Sequence, residues 1–141
     1  MTEPTRVRVV LPRILVPAAL PARNRGNGAS TVALVTKAIG AQTFLNGLTT
    51  FEPGAAIGHH SHNCIESVVV VQGEAVVNID GVETRLSTFD TTFVPADIPH
   101  HFRNASLVHP MRILWTYGSA DATRTMVDTG VTGRIDGEDH G

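Results

Sequence analysis

The stretch GHHSHNCIES, residues 58–67, sets three histidines, one cysteine and one glutamate within ten positions. It directly precedes the apolar run VVVV, residues 68–71, which is typical of a buried β-strand. Because side chains alternate between the two faces of a strand, His60, His62 and Glu66 have the same parity and point to one side. This spacing predicts that two imidazoles and a carboxylate converge on a common point.

A second histidine segment, IPHHFRN at residues 98–104, places His100 behind a proline at the start of another strand, about forty residues after the first group. The two segments together hold five of the seven histidines of the chain. Exposure at a strand edge is the usual position of a single histidine, but it does not account for such crowding. Neighbouring strands of a closed sheet would instead bring three neutral imidazoles and one carboxylate into a mixed site of the kind that binds Fe, Mn, Ni, Cu or Zn.

The rest of the chain is patterned as short strands separated by turn residues, and no window of ten or more residues has a convincing helical period. The sequence therefore predicts an all-β protein. Asp80-Gly81 is a hairpin signal, because both central residues of that turn type need a positive φ. The candidate strands are residues 6–11, 31–36, 42–51, 56–61, 66–71, 74–79, 82–86, 91–94, 100–103 and 111–117.

A chain of 141 residues most naturally forms one domain. We assign residues 1–30 to an N-terminal arm and loop, residues 31–128 to a barrel, and residues 129–141 to a flexible tail rich in glycine and charge. Within the arm, PARNRGNGAS at residues 21–30 is interpreted as a mobile loop that leads into the barrel. The apolar positions of the arm need a surface on which to be buried, and they predict a homodimer.

The charge balance excludes several classes of partner. Eleven Lys plus Arg against 13 Asp plus Glu give a net charge of -2, which supplies no basic field for a nucleic acid. Arginines and prolines interrupt the apolar runs near the N-terminus, so neither a signal peptide nor a membrane span is expected. The single cysteine excludes an internal disulfide and suits a reducing compartment, which predicts a cytoplasmic protein.

The histidine-rich region resembles the cupin family. Gly54, His60, His62, Glu66 and Gly73 reproduce the first cupin motif, G-x5-HxH-x3-E-x6-G, without a gap. The resemblance implies a small single-domain cupin, in which a β-barrel or jelly roll surrounds an internal metal. It also implies one divalent transition metal per chain, with Fe favoured and Zn, Mn, Ni or Cu as alternatives.

The second cupin motif, G-x5-P-x-G-x2-H-x3-N, is matched in part, at Pro95, His100 and Asn104. Phe89 and Asp97 stand where the family usually has glycines. Asp tolerates the left-handed backbone conformation better than most residues, so the turn at Asp97 is expected to survive. The metal ligands that the family resemblance implies are His60, His62, Glu66 and His100.

Inward-facing positions near this site are candidates for the wall of a substrate pocket, although ordinary barrel packing is the alternative for most of them. A lone cysteine is also typical of a small buried apolar residue. His59 and His101 each adjoin a proposed ligand and therefore point to the opposite face, where a surface position is expected and a proton shuttle is the alternative. The candidate wall residues are Phe44, Asn46, Phe51, Cys64, Phe102, Met111, Ile113, Trp115 and Tyr117.

Cupin barrels host many reactions, so the resemblance leaves the reaction open. The leading hypothesis is a metal-dependent enzyme acting on a small organic molecule, namely an Fe(II) oxygenase in which iron binds O2 or substrate at an open position. One alternative is a Lewis-acid isomerase, decarboxylase or cyclase that uses Zn, Mn or Ni. Another is a sensor that binds a small ligand without converting it.

Overall fold

The computed structural model describes residues 10–136. Two six-stranded sheets, antiparallel throughout their pairings, contribute to one apolar core, so the all-β prediction and the jelly-roll architecture are confirmed. The first sheet contains, in spatial order, β1 (Arg23–Gly26), β2 (Ala29–Val35), β3 (Leu45–Phe51), β10 (Met111–Tyr117), β5 (Glu66–Gln72) and β8 (Thr91–Val94). The second contains β12 (Thr132–Arg134), β11 (Thr123–Met126), β4 (His60–His62), β9 (His100–Asn104), β6 (Ala75–Ile79) and β7 (Val82–Leu86).

Helical structure within residues 10–136 is limited to two short 3-10 turns, Pro17–Ala19 and Lys37–Ile39. Neither turn has the length or the apolar character that a helix needs to cross a membrane.

The centre of the first sheet is formed by strands in which every second residue is buried. β10 pairs with β3 from Met111 opposite Phe51 to Tyr117 opposite Leu45, without a break in register. Because facing residues in such a pair share a side of the sheet, the buried residues of both strands form one surface toward the second sheet. Each fully buried large apolar side chain there contributes about 1.5–3 kcal/mol to folding.

The hairpin predicted at Asp80-Gly81 is present between β6 and β7. Both turn residues have positive φ, 52° for Asp80 and 88° for Gly81, and the flanking Ile79 and Val82 are paired. These angles match the right-handed twist of the two strands, which is why this dipeptide is favoured in two-residue hairpins.

The two positions that lack the family's glycines retain a glycine-like backbone. Phe89 has φ 75° and Asp97 has φ 68°. The Asp97 N–H donates to the carbonyl of His62 at 2.7 Å, so the turn at Asp97 is tied to the strand that carries two of the histidines. The substitutions therefore preserve the backbone course, and for Phe89 this conformation is strained.

The barrel begins earlier than the sequence predicted. Residues 21–30 do not form a mobile linker, because β1 and β2 pair as a hairpin around Asn27 and Gly28, which have φ 52° and 82°. Asn-Gly is a strong two-residue hairpin signal, and interpretation of the segment as a loop overlooked it. The strand predicted at residues 6–11 falls largely on residues 1–9, outside the described part, and residues 10 and 11 are not in a strand.

The barrel also ends later than predicted. Residues 129–134 are not a free tail, because β12 pairs with β11 after a turn at Gly130. Ile135 follows with an exposed fraction of 4% and donates its N–H to the carbonyl of Ala122 at 2.9 Å. The chain therefore remains packed beyond residue 128, where the barrel was expected to end, through residue 136; residues 137–141 lie outside the described part.

Candidate metal centre

The three predicted histidine ligands come from adjacent strands of one sheet. His60 and His62 are the ends of β4, and His60 is the pairing partner of His100 at the start of β9. One ring nitrogen from each of the three side chains lies within 4.8 Å of the other two, and all three residues are buried. Glu66 starts β5 in the other sheet, so the site is enclosed between the two sheets.

Backbone carbonyls fix the orientation of all three imidazoles. Each Nδ1 lies within hydrogen-bonding distance of a carbonyl oxygen, and since a carbonyl can only accept, Nδ1–H is the donor. This tautomer leaves the lone pair of each Nε2 available to a metal, as in most histidine-ligated sites. The acceptors are Gly58 for His60 at 2.6 Å, Thr123 for His62 at 2.9 Å, and Ile98 for His100 at 2.8 Å.

The carboxylate of Glu66 completes the group. Its Oε1 lies 2.8 Å from Nε2 of His100 and 3.6 Å from Nε2 of His62. Burial lowers the pKa of His100, but the hydrogen bond and the charge of Glu66 outweigh burial and raise the pKa above its usual value. A proton held by His100 must therefore leave before its Nε2 can bind a metal.

The other two histidines are held neutral. Burial, followed by the charges of His62 and His100, lowers the pKa of His60 well below 6.5. Burial also lowers the pKa of His62, and the opposing effect of Glu66 does not reverse the shift. Neutral imidazole is the form that binds metals, so these two residues need no deprotonation at neutral pH.

These features fit a divalent transition metal. Nε2 of His62 is buried and has no hydrogen-bond partner within residues 10–136, although a buried polar atom without a partner costs about 1–3 kcal/mol. A metal ion would satisfy this atom together with the Nε2 atoms of His60 and His100 and the carboxylate of Glu66. Three nitrogens and one oxygen suit Fe, Mn, Ni, Cu and Zn alike, and the donor set does not select among them.

His60, Glu66 and His100 line a small cavity of about 20 Å³, while His62 lies beside them and is not among its lining residues. The cavity has room for about one water molecule. A bidentate organic substrate does not fit inside this volume beside a metal. Five of the predicted wall residues line the cavity: Phe51, Phe102, Ile113, Trp115 and Tyr117.

Two predicted wall residues, Phe44 and Asn46, lie elsewhere, because the inward-facing residues of β3 are odd-numbered, as Phe51 is. Phe44 precedes the strand and is 42% exposed, and Asn46 uses its Oδ1 to accept the N–H of Val35 at 2.9 Å. The odd-numbered residues face inward, since the Trp115 ring packs directly over Gly47, where any Cβ would collide with it. The close approach of Trp115 and Gly47 therefore determines which face of β3 points inward.

Cys64 and Met111 also fall outside the residues that line the cavity. Cys64 lies in the turn between β4 and β5, half-buried against the core, and burial raises the pKa of its thiol. A raised thiol pKa disfavours the nucleophilic thiolate. Met111 is fully buried at the opposite end of β10 from Tyr117 and belongs to the apolar core.

His59 and His101 are not among the cavity-lining residues, as their parity predicted. Their rings contact each other edge to face, with centroids 4.7 Å apart, and both residues are half-buried. Burial and the neighbouring His59 lower the pKa of His101. The two residues form a pair of their own and make no contact with the cavity that would support a proton shuttle.

Arg25, Thr49 and Arg124 line the cavity and were missed by sequence reasoning. Arg25 lies in the hairpin interpreted as a loop, and Arg124 lies in β11, which was not predicted. The Asn27-Gly28 turn signal could have revealed the first. Thr49 accepts a hydrogen bond from Nε1 of Trp115 at 2.9 Å, which fixes the indole against the cavity.

The fold and the site together define the class of protein. Residues 47–117, half of the chain, match the family model described as a cupin domain. The chain therefore belongs to the cupin family, as the two sequence motifs indicated.

Among curated proteins, the chain is 35% identical over 85 residues to "Polyketide synthase CurC" of Streptomyces cyaneus, covering 60% of this chain and 54% of that protein. It is also 35% identical over 83 residues to "Protein SchB" of Streptomyces halstedii, covering 57% of this chain and 60% of that protein. The chain thus spans little more than half the length of the curated relatives it matches.

Among solved structures, the polyketide cyclase RemF from Streptomyces resistomycificus superimposes with a TM-score of 0.71 at 16% identity, covering 92% of this chain and 90% of that one. At this identity the likeness establishes a shared fold.

Proposed function

We propose that this cupin is a metal-dependent enzyme that carries out Lewis-acid chemistry on a carbonyl group of a small organic molecule, with cyclisation of a polyketide-like chain as the favoured reaction. The observation that carries this proposal is the convergence of three imidazoles whose Nδ1 atoms are all engaged by backbone carbonyls. The choice of reaction is supported by the relatives named for polyketide synthesis and cyclisation.

The residues that would hold the metal are His60, His62 and His100 together with Glu66. When bound, a divalent metal would polarise a carbonyl oxygen and favour enolisation of the neighbouring carbon. The protein's part is to present the Nε2 atoms of three imidazoles on one side and a carboxylate on the other, at positions that the backbone has already set.

Glu66 and Tyr117 are ionisable side chains that lie beside the three histidines. Burial, and then the charge of Glu66, raise the pKa of Tyr117 well above its usual value, so the phenol keeps its proton and can donate it in a hydrogen bond to Glu66. The Tyr117 ring also packs on His62, with centroids 4.6 Å apart. Tyr117 therefore stays neutral beside the carboxylate of Glu66.

The apolar wall controls access of water. Phe51, Val68, Ile113 and Trp115 are almost fully buried and border the cavity. A reactive enolate-forming substrate gains from such a wall because bulk water would otherwise protonate or hydrolyse it. The wall favours carbon–carbon bond formation over hydrolysis at this site.

The relatives shift the preference away from the Fe(II) oxygenase that the sequence favoured and toward the Lewis-acid alternative. An aromatic cyclisation of this kind is an aldol condensation, in which a carbon–carbon bond forms and one water molecule leaves, with no net oxidation. An oxygenase would consume O2 and add oxygen to the product.

The experiment is a comparison of the zinc-, manganese- and iron-loaded protein with linear poly-β-ketone substrates under air and under nitrogen. We expect a product one water lighter by mass spectrometry, at the same rate in both atmospheres. His62→Ala should lose this activity, whereas His109→Ala, which changes an exposed histidine outside the site, should retain it. Oxygen consumption coupled to product would support the oxygenase, and ligand binding without product from any metal form would support a sensor; either result overturns the proposal.

A further inference from the structure

A surface groove opens at the mouth of the metal cavity. Its volume is about 350 Å³, against about 20 Å³ for the cavity itself. Arg25, Ile57 and Arg124 border both spaces, so the groove and the cavity adjoin at these three residues, and we call this boundary the passage. The other groove residues are Gly26, Asn27, Ala56, Gly58, Met126 and Asp128.

The difference in volume determines where an organic molecule can lie. A cavity that holds about one water molecule has no room for the body of an organic molecule. Small-molecule sites usually measure about 300–1,000 Å³, which is the range of the groove. The groove is therefore the space in which the body of a substrate would fit, with its reacting end toward Arg25, Ile57 and Arg124.

Arg25 is aimed at this passage by an irregularity in its strand. The pairing of β1 with β2 shifts between Asn24 and Gly26, which leaves Arg25 without a register partner. Such bulges redirect single side chains and are frequent beside active sites. The guanidinium thereby borders the cavity and the groove at once, within the electrostatic reach of Glu66 and Tyr117.

The Arg25 guanidinium is incompletely satisfied by the protein. Its Nε is buried without a hydrogen-bond partner inside the described range, and its Nη1 makes only a long contact of 3.5 Å with Oγ1 of Thr31. Thr31 Oγ1 is itself engaged with Oγ1 of Thr49 at 2.9 Å. A buried cation whose donors lack acceptors is costly, and an anionic ligand would supply those acceptors.

Arg124 approaches the same passage from the second sheet. It is the register partner of His62 in the pairing of β11 with β4, so both side chains project from the same face. Two arginines from opposite sheets thus flank the opening, while Asp128 is the acidic residue of the groove. Arginine is suited to this position because its planar fork binds a carboxylate through two parallel hydrogen bonds.

We propose that the groove binds an acidic organic substrate, whose carboxylate is held by Arg25 and Arg124 at the mouth while its carbonyl end enters the metal cavity. This inference rests on the proposed function for the role of the inner end, but the carboxylate site itself requires no metal. It narrows the substrate class to acids that carry the carboxylate apart from the reacting carbonyl.

The test is calorimetric titration of the zinc-loaded full chain with 4-acetoacetylbenzoate and with its neutral carboxamide. We expect the acid to bind at least about tenfold more tightly, since a hydrogen bond to a charged partner is worth about that factor. Arg25→Gln and Arg124→Gln should each remove most of this preference, and Arg25→Lys should retain part of it. Arg112→Gln, an exposed residue of β10 with the same loss of charge, is the matched control and should keep it.

Metal content measured on the same samples shows whether each variant is folded around its site. If one variant does not fold, the variant of the other arginine still tests the inference. A second measurement is the salt dependence of the wild-type protein, whose preference for the acid must weaken as the salt concentration rises. An unchanged preference in folded Arg25→Gln and Arg124→Gln overturns the inference.

Repetition with metal-free protein separates this inference from the proposed function. A preference for the acid that persists without metal supports the arginine site even if no metal-dependent activity is found. If the preference for the acid is lost when the metal is removed, and neither arginine substitution changes it, the carboxylate binds the metal. That result overturns the inference and leaves the proposed function standing.

Discussion

His60 and His100 are paired across β4 and β9, and their ring centroids lie 4.7 Å apart although forty positions separate them in the chain. The pairing places one imidazole directly beside the other on the inner face of the sheet, and His62 joins them two residues further along β4. A metal site can be built from this pairing because sheet register, rather than a flexible loop, sets the separation of the ligands.

Metal content is the first measurement that follows. We expect one transition metal per chain in protein purified without chelators, and loss of most of it in His62→Ala, since Nε2 of His62 is a buried nitrogen without a hydrogen-bond partner among residues 10–136. Plasma emission spectrometry gives the stoichiometry. Bound metal should also raise the free energy of unfolding, by about 2.7 kcal/mol when free metal is at a hundredfold excess over Kd. Full metal content in His62→Ala would show that His62 is not a metal ligand.

Metal binding should release a proton from the pair formed by His100 and Glu66. The raised pKa of His100 means that the metal-free protein holds a proton there at pH values where a free histidine has begun to lose it. Metal affinity should therefore increase as the pH rises, until the pH exceeds that raised pKa.

Calorimetry in buffers of different ionisation enthalpy counts the protons released. Glu66→Gln removes the charge that raises the His100 pKa, so burial then dominates and the proton count near neutral pH should fall. The volume of the side chain hardly changes, and the fold should be retained. Equal proton release by wild type and Glu66→Gln would contradict this account of the pair.

Phe89→Gly should stabilise the protein. Phe89 is 73% exposed with φ 75°, and its backbone N–H bonds to the carbonyl of Val70 independently of the side chain. Relief of the left-handed conformation is worth about 1–2 kcal/mol, against about 0.4–1 kcal/mol for the added freedom of glycine in the unfolded chain. Urea denaturation of the metal-free protein measures the net gain.

Phe93→Gly is the matched control, because Phe93 is 66% exposed but lies in the extended strand β8. There glycine relieves no strain and should lower the free energy of unfolding by about 0.5–1 kcal/mol or more. If both substitutions destabilise to the same degree, the strain assigned to Phe89 is absent.

Self-association remains a prediction. The described part of the N-terminal arm exposes Val10, Leu11, Ile14 and Val16, with Ile14 93% exposed. A second copy of the chain would bury these side chains, which supports a homodimer. Light scattering across micromolar concentrations should give twice the chain mass of 15.0 kDa, and removal of residues 1–16 should give the mass of one chain. A single-chain mass for the intact protein would rule the dimer out.

Local sequence signals were enough to predict the architecture and the histidine cluster. Alternation of apolar residues, the Asp80-Gly81 turn and the spacing of His60, His62 and Glu66 all act over fewer than ten residues. Successive side chains of a strand point to opposite faces of the sheet, so the face of each residue can be predicted wherever the start of the strand is known. Before Leu45 the start was misjudged by a few residues, and Phe44 and Asn46 were assigned to the inner face in error.

The inner face of β3, the orientation of His62 and the position of the two arginines depend on tertiary structure alone. The face of β3 depends on the fit of the Trp115 ring over Gly47, which are 68 positions apart. The orientation of His62 depends on the carbonyl of Thr123, in a strand that the sequence did not reveal. Arg25 and Arg124 both border the cavity because β1 is the edge strand of one sheet and β11 lies next to the edge of the other. The sequence by itself determined which residues are available as metal ligands, because ligand chemistry depends on residue type and strand parity depends on local spacing. The convergence of these ligands with the two arginines requires packing between residues far apart in the chain, and no local pattern encodes such packing.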